Sequence, residues 1–536
     1  MPGEKLTVAG RVQGVGYRPF VYRLAHELGV TGSVRNRTGR VEIVAYAAAT
    51  VLGKFRDRLC RGAPPLAQPV IDSVRPVNGV RPAAFRILAS ERGDRVGILV
   101  PPDHFACAAC LREMRDPGDR RYRYPFINCT QCGPRYTLID ALPYDRARTA
   151  MAGFAMCAAC RAEYQDPANR RFHAEPIACP QCGPVVRYAG PDGVRWVEQA
   201  ISAAVADVHA GRIVAVRGIG GYHLLCNALD ESAVQRLRQR KGRPHKPFAV
   251  MLPELGSDGC DALREIADAR PEELTALRDP RRPIVLCRAR TAGVLAPAVA
   301  PNLAEVCLFL PYSPLHHLLL QEIGGAVVAT SGNLSGEPVL TDPEEVEQRL
   351  GHVADSFVHH DRPIRRPADD AVCRVLSGRA RPLRLGRGFA PLERRLPRAV
   401  TRPLLAVGAH LKNTVALAWA DRVVISPHIG ELDSRRSRDV FATVIADLQR
   451  LYQVRAEEVI CDAHPGYGST RWAKAQPLPS QAVFHHHAHA AALAGEFNVE
   501  HELLVFTWDG TGYGPDGTIW GGEGLLGRPG QWRRVT

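Results

Sequence analysis

Long apolar runs, a secretion signal and aromatic clusters are all missing from this sequence, and each absence argues against a class of protein. No uninterrupted apolar stretch is long enough to cross a bilayer, which argues against a membrane protein. The opening MPGEKLTVAG lacks the charged and then apolar pattern of a signal peptide, so we expect a cytoplasmic location. Aromatic residues make up 7% and show no periodic cluster among the arginines, which argues against a nucleic-acid-binding protein with stacking positions.

Basic residues are in excess, but the sequence has no long basic block. The formal net charge is +14 at pH 7, and the arginines are spread along the chain. A basic balance suits a nucleic acid, an anionic small substrate or an arginine-rich proteome, so charge alone identifies no partner. At roughly 150 residues per domain, the 536 residues predict three or four domains.

Eight of the fifteen cysteines form four CxxC pairs, and the pairs repeat with a period of 50 residues. The repeat extends beyond cysteine, since CTQCGP at residues 129–134 matches CPQCGP at residues 179–184. Two CxxC pairs separated by 18 residues have the spacing of a tetrahedral zinc site, and the duplication predicts two such sites. The proposed ligands are Cys107, Cys110, Cys129 and Cys132 in the first module, and Cys157, Cys160, Cys179 and Cys182 in the second.

These zinc sites should be structural, because four thiolates leave no coordination position open for a substrate. Redox-active CxxC pairs are the alternative, but redox motifs do not normally occur as a duplicated quartet. We expect each zinc ion to bind within one repeat, since each repeat supplies a complete set of ligands. The seven scattered cysteines are most simply small buried apolar residues.

The N-terminal region combines a glycine-containing loop with the start of a helix. The loop QGVGYR at residues 13–18 precedes Pro19 at a favourable first helical position, and such a loop forms a cradle for an anion. The segments GRVQGVGYR (10–18) and GSVRNRTGRVE (32–42) resemble acylphosphatases. That resemblance implies that Arg18 binds an acyl phosphate and Asn36 positions the attacking water. On its own, Asn36 would be interpreted as a turn residue.

The middle region alternates helical patterns with short apolar strands, which indicates an α/β fold. RKGRPHKPFAVM (240–251) places cations before a strand, and VVATSGNLSGEP (327–338) leads a strand into a loop of hydroxyls and glycines. A solvated basic face is the alternative for the first segment. Together, and in this order, the two resemble the YrdC family, which makes acyl-adenylates from ATP. The resemblance implies a nucleotide site at Lys241, Arg243, Lys246, Ser331 and Asn333, with Arg217 and Arg384 as further candidates.

The C-terminal region carries a histidine cluster and a strand that ends in an aspartate. FHHHAHAAAL (484–493) favours a helix, on which His485 and His489 share a face and could bind one metal. An exposed or core histidine cluster is the alternative. LLVFTWDGTGYG (503–514) predicts a strand, then Asp509 and a glycine-rich turn. This set resembles the Kae-type carbamoyltransferase domain, an actin-like ATPase, which implies a metal site at His485, His489 and Asp509 and nucleotide contacts at Lys412, Asn413, Gly510 and Gly512.

The order of these four regions is that of the HypF family. The chain is identified as a member of it, with an acylphosphatase-like domain (1–92), tandem zinc modules (93–190), a YrdC-like domain (191–395) and a partial Kae-like domain (396–536). The expected fold class is therefore multidomain α+β and α/β, with a ferredoxin-like N-terminal domain. The last domain has about 135 residues, whereas an actin-like fold needs two halves. We therefore expect a fragment or an incomplete domain.

The resemblance implies a carbamoyltransferase of nickel–iron hydrogenase maturation. Its substrates would be carbamoyl phosphate and ATP, and its acceptor a cysteine of the protein HypE. Its cofactors would be two structural Zn²⁺ ions and a divalent Fe, Zn or Mg ion at the histidines. A tRNA threonylcarbamoyl-type enzyme is one alternative, although an acylphosphatase region favours carbamoyl phosphate. A zinc-ribbon nucleic-acid-binding protein is the other, and steeply salt-dependent binding to RNA or DNA would favour it.

Overall fold

The structure is a computed structural model that describes residues 2–37, 39–89, 91, 100–142, 144–191, 193–290 and 293–536. The predicted domain boundary at residues 92 and 93 lies outside this described part. The chain forms two compact units, one of residues 1–335 and 339–389 and the other of residues 336–338 and 390–536. Within the described ranges, no helix is both long and apolar enough to cross a membrane.

The N-terminal domain of the first unit is a five-stranded sheet with two helices, in the βαββαβ order of a ferredoxin-like fold plus one edge strand. Strand order is β4-β1-β3-β2-β5, and fully buried Leu6, Val21 and Phe55 meet in the core between sheet and helices. The first helix starts directly after Gly16, which has φ 74°. The elements are β1 (Gly3–Arg11), α1 (Tyr17–Glu27), β2 (Thr31–Arg37), β3 (Arg40–Tyr46), α2 (Ala49–Arg61), β4 (Gln68–Val77) and β5 (Phe85–Ile87).

The zinc modules contain little regular structure, and each one places a short helix directly after its first cysteine. Cys107 and Cys157 occupy the N-cap positions of these helices. The duplication extends to the backbone, since Arg123 and His173, 50 residues apart, both have φ 53°. The elements are α3 (Ala108–Arg115), two 3₁₀ turns (Arg146–Arg148 and Ala150–Gly153) and α4 (Ala158–Gln165).

A mixed 11-stranded sheet organises the rest of the first unit, in the order β16-β15-β11-β12-β10-β13-β9-β8-β14-β6-β7. Strand β6, which lies between β14 and the edge strand β7, is part of this sheet, so the sheet already begins within the predicted zinc region, before residue 190. The strands are β6 (Val186–Gly190), β7 (Gly193–Trp196), β8 (Val214–Arg217), β9 (Tyr222–Asn227), β10 (Ala249–Met251), β11 (Ile284–Arg288), β12 (Glu305–Phe309), β13 (Val327–Ser331), β14 (Ser356–His360), β15 (Val372–Leu376) and β16 (Arg379–Arg384).

Six α-helices and one 3₁₀ turn connect these strands in the described part of the unit. Asp230 is the N-cap of helix α6 (Glu231–Lys241), and its side chain accepts hydrogen bonds from two N–H groups of the first turn; Gly242, with φ 59°, is the C-cap. Lys241 is its last residue, directly before this left-handed glycine. The helices are α5 (Glu198–His209), α6 (Glu231–Lys241), α7 (Asp261–Ile266), α8 (Pro271–Arg278), a 3₁₀ turn (Pro297–Val299), α9 (Pro314–Ile323) and α10 (Pro343–Leu350).

The second unit contains a six-stranded sheet, in the order β17-β20-β19-β18-β21-β22, and a separate three-stranded sheet. Strand β17 pairs with β20, which places residues 392–395 in this unit rather than in the domain before it. The elements are β17 (Leu392–Arg395), β18 (Leu404–Ala406), β19 (Ala416–Trp419), β20 (Arg422–Ile425), α11 (Arg435–Tyr452), β21 (Glu458–Asp462), α12 (Gly468–Lys474), β22 (Ser480–Val483), α13 (His485–Phe497), β23 (Leu503–Tyr513), β24 (Ile519–Arg528) and β25 (Gln531–Arg534).

The predicted glycine-rich turn after Asp509 is part of a strand instead. Strand β23 continues to Tyr513 through an irregularity in its pairing with β24 between Trp508 and Gly512. An irregularity of this kind keeps the extended backbone while adding unpaired residues, so the glycines that suggested a turn lie within a strand. Gly512 is required here by close approach, since a Cβ at this position would lie 2.5 Å from the ring of His486.

Candidate functional sites

The structure brings together the four cysteines of each repeat. Neighbouring sulfur atoms lie 3.4–3.7 Å apart in the first module and 3.6–3.8 Å apart in the second. Four sulfurs that bind zinc at about 2.3 Å in a tetrahedron lie about 3.8 Å from one another, whereas a disulfide bond is about 2.05 Å long. The two clusters therefore have the donor set and the spacing of closed structural zinc sites.

The two modules also support each other's thiolates. Arg120 Nη2 of the first module donates to Cys160 Sγ of the second at 3.2 Å, and Arg170 Nη1 of the second donates to Cys110 Sγ of the first at 3.2 Å. A tetrathiolate zinc site carries net negative charge, so these cations stabilise it. The expectation that each module is complete by itself therefore holds only for the zinc ligands. The arginines that stabilise the thiolates of one module come from the other module.

Two ion pairs, each between a buried arginine and a partly exposed glutamate, repeat the same exchange. Arg121 Nη2 lies 2.5 Å from Glu163 Oε2, and Arg171 forms the matching pair with Glu113. Arg121 and Arg171 are 1% and 3% exposed, and each also donates its Nε to a backbone carbonyl of the opposite module. Breaking either pair leaves the charge of a buried arginine uncompensated, so we infer that the modules fold as one body.

Loss of one zinc ligand should therefore destabilise both modules. In Cys110→Ser we expect bound zinc to fall from two ions per chain to one or none, together with a lower melting temperature, because zinc binding contributes directly to folding. Metal analysis and thermal unfolding measure the two effects. Cys60→Ser, at an exposed cysteine outside both clusters, is the matched control. Unchanged zinc content in Cys110→Ser would contradict the assignment.

Arg18 lies in the first turn of α1 and is only 9% exposed. It lines a cavity of about 20 Å³ together with the loop that contains Gly14 and Gly16. This volume is far too small for a nucleotide or a peptide. Because the cavity lies at a helix N-terminus and contains a guanidinium, it has the charge for an anion.

Asn36 lies on β2 and is fully buried. Among the described residues, neither atom of its side-chain amide has a hydrogen-bond partner. The Arg18 loop reaches the same strand, since Gln13 Nε2 donates to the carbonyl oxygen of Arg37 at 2.7 Å. A buried amide costs free energy unless it is satisfied, so this position fits an amide that binds a water or a substrate better than a turn residue.

The far wall of the Arg18 cavity comes from the zinc modules, which sequence reasoning missed. Arg135 Nε donates to the carbonyl oxygen of Gly14 at 2.8 Å, and a Cβ at Gly16 would lie 2.9 Å from Thr130 Oγ1. Three side chains of the modules complete the lining: Tyr144, His173 and Glu175. The sequence did contain one indication of this wall: the two repeats differ at the position where the second module has Glu175 and the first has Pro125.

Burial and the nearby charge of Arg18 shift the pKa values of two residues in this wall. Burial raises the pKa of Glu175 to about 7, although the charge of Arg18 opposes the shift. Burial, and next the charge of Arg18, lowers the pKa of His173 to about 4. At neutral pH the cavity therefore contains a neutral imidazole beside the guanidinium of Arg18.

The structure joins the two predicted nucleotide-binding segments through Lys241. Its Nζ donates to the carbonyl oxygen of Ser331 at 2.6 Å and to Asn333 Oδ1 at 3.0 Å. Ser331 Oγ also donates to Asn333 Oδ1 at 2.8 Å. Burial, and then the nearby charges of Arg243 and Lys246, lowers the pKa of Lys241 to about 7. Burial and the neighbouring cations disfavour the charged form of Lys241, and an anion that binds beside it would favour that form.

Of the other predicted cations, Arg243 and Arg384 lie close enough to repel each other. Burial lowers the pKa of Arg243 to about 10, and the charge of Arg384 acts in the same direction. Arg384 pairs with Asp369 at 2.7 Å, and Lys246 is exposed on the loop after Arg243. Arg217 donates to the backbone carbonyl oxygens of His360 and Thr341, so its guanidinium holds these two segments together.

The predicted histidine site of the second unit is assembled around Asp509. His485 Nε2 lies 3.0 Å and His489 Nε2 lies 3.8 Å from Asp509 Oδ2, and one ligand atom from each residue falls within 4.8 Å of the others. His485 Nδ1 lies 2.7 Å from Asp462 Oδ2, and this hydrogen bond is the main cause that raises the pKa of His485. A carboxylate behind a ligating imidazole is a common support of metal sites.

Sequence reasoning missed Asp462, although a signal existed. Asp462 is the last residue of β21, in the same position at a strand end that drew attention to Asp509. Its partner His485 starts α13, so only the fold shows that the two meet. The two histidines, by contrast, follow from helical spacing alone.

The remaining predicted nucleotide contacts differ in their surroundings. Lys412 is exposed in the turn between β18 and β19, with φ 47°. Asn413 is 1% exposed and donates its amide to the carbonyl oxygens of Val407 and Ala409, at 2.8 and 2.6 Å, so it holds this turn. Gly510 is exposed in the irregular part of β23, and Gly512 lies against His486 as described above.

Five family models match the chain in an order that confirms the expected fold class. They are described as acylphosphatase (residues 4–75), HypF finger (106–139 and 156–188), telomere recombination (207–386), HypF Kae1-like domain (399–496) and carbamoyltransferase, Kae1-like domain, second subdomain (505–536). The third is the model that carries the YrdC name.

Similar proteins share this arrangement over almost the whole chain. "Carbamoyltransferase HypF" of Synechocystis sp. is 46% identical over 99% of this chain and 69% of its own length. "Probable carbamoyltransferase HypF" of Methanocaldococcus jannaschii is 39% identical over 99% of this chain and 70% of its own length. A crystal structure of full-length HypF in a phosphate- and nucleotide-bound form is 40% identical, with a TM-score of 0.94 over 100% of this chain and 70% of that one.

Proposed function

The chain belongs to the HypF family of carbamoyltransferases, and from this premise we propose that it converts carbamoyl phosphate and ATP into carbamoyl-AMP and then transfers the carbamoyl group. The observation that carries the proposal is that one compact unit contains both the Arg18 cavity and the Lys241 cluster. The first suits an acyl phosphate and the second an anionic nucleotide. In the proposed sequence, carbamate formed at the Arg18 cavity is a substrate for adenylation at the Lys241 cluster.

The first step is hydrolysis of carbamoyl phosphate to carbamate and phosphate. The Arg18 guanidinium and the N–H groups at the start of α1 bind the phosphoryl oxygens and stabilise charge on the leaving phosphate. Asn36, whose amide has no partner within the described ranges, orients the attacking water. An acyl phosphate is already activated, so orientation and charge stabilisation are sufficient.

The second step joins carbamate to the α-phosphorus of ATP and releases pyrophosphate. Lys241 holds the Ser331–Asn333 loop and carries a charge that an incoming phosphate stabilises. Arg243 and Lys246 extend the cationic surface along the same loop. A second nucleotide contact in the C-terminal unit, at Lys412, Asn413, Gly510 and Gly512, stays a prediction from the sequence.

The third step moves the carbamoyl group from carbamoyl-AMP to a cysteine thiolate, and we propose the protein HypE as the acceptor. The sulfur bonds to the carbamoyl carbon and AMP leaves. A divalent ion (Fe, Zn or Mg) at His485, His489 and Asp509 would supply Lewis-acid charge for the nucleotide. Asp462 keeps His485 oriented for that role. The two zinc ions of the cysteine clusters supply structure alone, and the cytoplasm remains the location that the sequence predicts.

The threonylcarbamoyl alternative has support from only part of the chain. The "Threonylcarbamoyl-AMP synthase" of Bacillus subtilis is 30% identical over 29% of this chain. The cavity at Arg18 lies outside residues 207–386, which match the family model that carries the YrdC name, and the formation of threonylcarbamoyl-AMP gives an acyl phosphate site no role. A nucleic-acid-binding role has no comparable support from the sites described above.

The assay that tests the proposal supplies ATP and follows pyrophosphate. We expect pyrophosphate release when carbamoyl phosphate is added and almost none when it is omitted or replaced by threonine and bicarbonate. The reason is that only hydrolysis at the Arg18 cavity generates the carbamate that the Lys241 site adenylates. Release that is independent of carbamoyl phosphate, or that requires threonine, would overturn the proposal.

A further inference from the structure

Glu175 lines the Arg18 cavity, and one of its carboxylate oxygens has no hydrogen-bond partner among the described residues. Its Oε2 accepts hydrogen bonds from the hydroxyl of Tyr164 at 2.9 Å and from the backbone N–H of Arg146 at 2.8 Å. Its Oε1 is buried and has no hydrogen-bond partner in the described part of the chain, although the residue is only 2% exposed. Leaving such an acceptor unsatisfied costs free energy, so its position points to a ligand that donates to it.

The cavity places this acceptor in the same small space as the phosphate-binding arginine. Arg18 and Glu175 both line it, and they interact electrostatically. A small ligand that satisfies both needs an anionic group at one end and a hydrogen-bond donor at the other. Carbamoyl phosphate has these features, because its phosphoryl group is anionic and its carbamoyl NH₂ is a donor.

We propose that Glu175, in its ionised form, determines substrate specificity at the acyl phosphate site by accepting a hydrogen bond from the carbamoyl NH₂ through Oε1. The inference rests on the proposed hydrolysis of carbamoyl phosphate. Acetyl phosphate has a methyl group in place of the NH₂, so it leaves Oε1 unsatisfied and binds less well. A site built to hydrogen-bond an NH group discriminates strongly against an analogue that lacks it. The second zinc module thus selects the substrate that the N-terminal domain hydrolyses.

The position of Glu175 in the repeat supports a role beyond structure. The first module has Pro125 at the equivalent place and binds its four cysteines in the same way. A carboxylate is therefore not required for the fold of a module. In addition, Tyr144, 3% exposed, lines the same cavity with a hydroxyl that has no partner within the described residues. As a donor, this hydroxyl suits the carbamoyl carbonyl oxygen.

Glu175→Gln is a sharp test because the change keeps the shape of the side chain. The Tyr164 hydroxyl and the Arg146 N–H both donate, so they hold the amide oxygen in the place of Oε2. The amide NH₂ then takes the place of Oε1 and opposes the NH₂ of the substrate. We expect kcat/KM for carbamoyl phosphate to fall about 10- to 100-fold, and kcat/KM for acetyl phosphate to change less than about threefold.

Both substrates are assayed by phosphate release with the full chain, and zinc content confirms that the modules remain folded. The wild-type chain should prefer carbamoyl phosphate. Equal losses on both substrates, an unchanged preference in Glu175→Gln, or a wild-type chain without preference would each overturn this inference while leaving the hydrolysis itself intact. A wild-type chain that hydrolyses neither substrate would overturn both the inference and the proposed function.

Discussion

Replacing Arg18 by alanine should reduce the release of phosphate from carbamoyl phosphate about 100- to 1,000-fold, the loss typical of removing one donor that stabilises developing charge. Arg18 is 9% exposed and lines the cavity at the start of α1, so water cannot easily replace its guanidinium. Pyrophosphate release that depends on carbamoyl phosphate should fall in parallel, because adenylation would lack carbamate. A malachite-green type phosphate assay and a coupled pyrophosphate assay measure the two.

The matched control for Arg18 lies on the same helix. Arg23 is exposed on α1, so Arg23→Ala removes the same side chain outside the cavity. We expect this variant to keep phosphate release. Carbamate formed chemically from bicarbonate and ammonia should also restore pyrophosphate release to Arg18→Ala, since the adenylation site is intact. If Arg18→Ala releases phosphate as fast as Arg23→Ala, the assignment of the acyl phosphate site is wrong.

Replacing Lys241 by methionine should stop adenylation and leave the hydrolysis of carbamoyl phosphate intact. Phosphate release from carbamoyl phosphate should continue, whereas pyrophosphate release should fall at least about 100-fold, because the variant loses a charge that stabilises the nucleotide phosphates. The ammonium also holds the carbonyl oxygens of Ser331 and Asn333, at 2.6 and 2.9 Å. Gln239→Ala, exposed on the same helix, is the control.

A proton balance distinguishes a nucleotide contact at Lys241 from a purely structural one. Burial lowers the pKa of Lys241 to about 7, whereas bound phosphates raise it. Above pH 7 the free chain therefore has a mostly neutral lysine, and ATP binding takes up a proton, so affinity weakens as pH rises. Calorimetry at about pH 8.5 in buffers of different ionisation enthalpy measures this uptake. Equal uptake in Lys241→Met would contradict a direct role.

Local spacing along the chain made several features of the protein predictable. The CxxC pairs occupy tight local loops, and the 50-residue repeat assigns four ligands to each cluster. His485 and His489 follow from the helical period, because residues four apart share a face. The expected ferredoxin-like fold of the N-terminal domain followed from the resemblance of residues 10–18 and 32–42 to acylphosphatases, and the observed element order agrees with it.

Other features required the fold, because they join residues that have no sequence relation. The bulge in β23 depends on pairing with β24, so the glycines after Asp509 suggested a turn. Support of one zinc module by arginines of the other depends on how the two modules pack. Asp462 became part of the histidine site only when β21 was placed beside the start of α13.

The amino-acid sequence by itself determined which chemical groups this protein has and, where ligands are close in the chain, which groups act together. It identified the zinc ligands, the loop with Arg18 and the segments with Lys241 and Ser331. Tertiary structure alone decided that a zinc module forms a wall of the Arg18 cavity and that Glu175 lies in this wall. The physical reason is that burial and hydrogen bonding depend on packing between distant segments, which local periodicity does not encode.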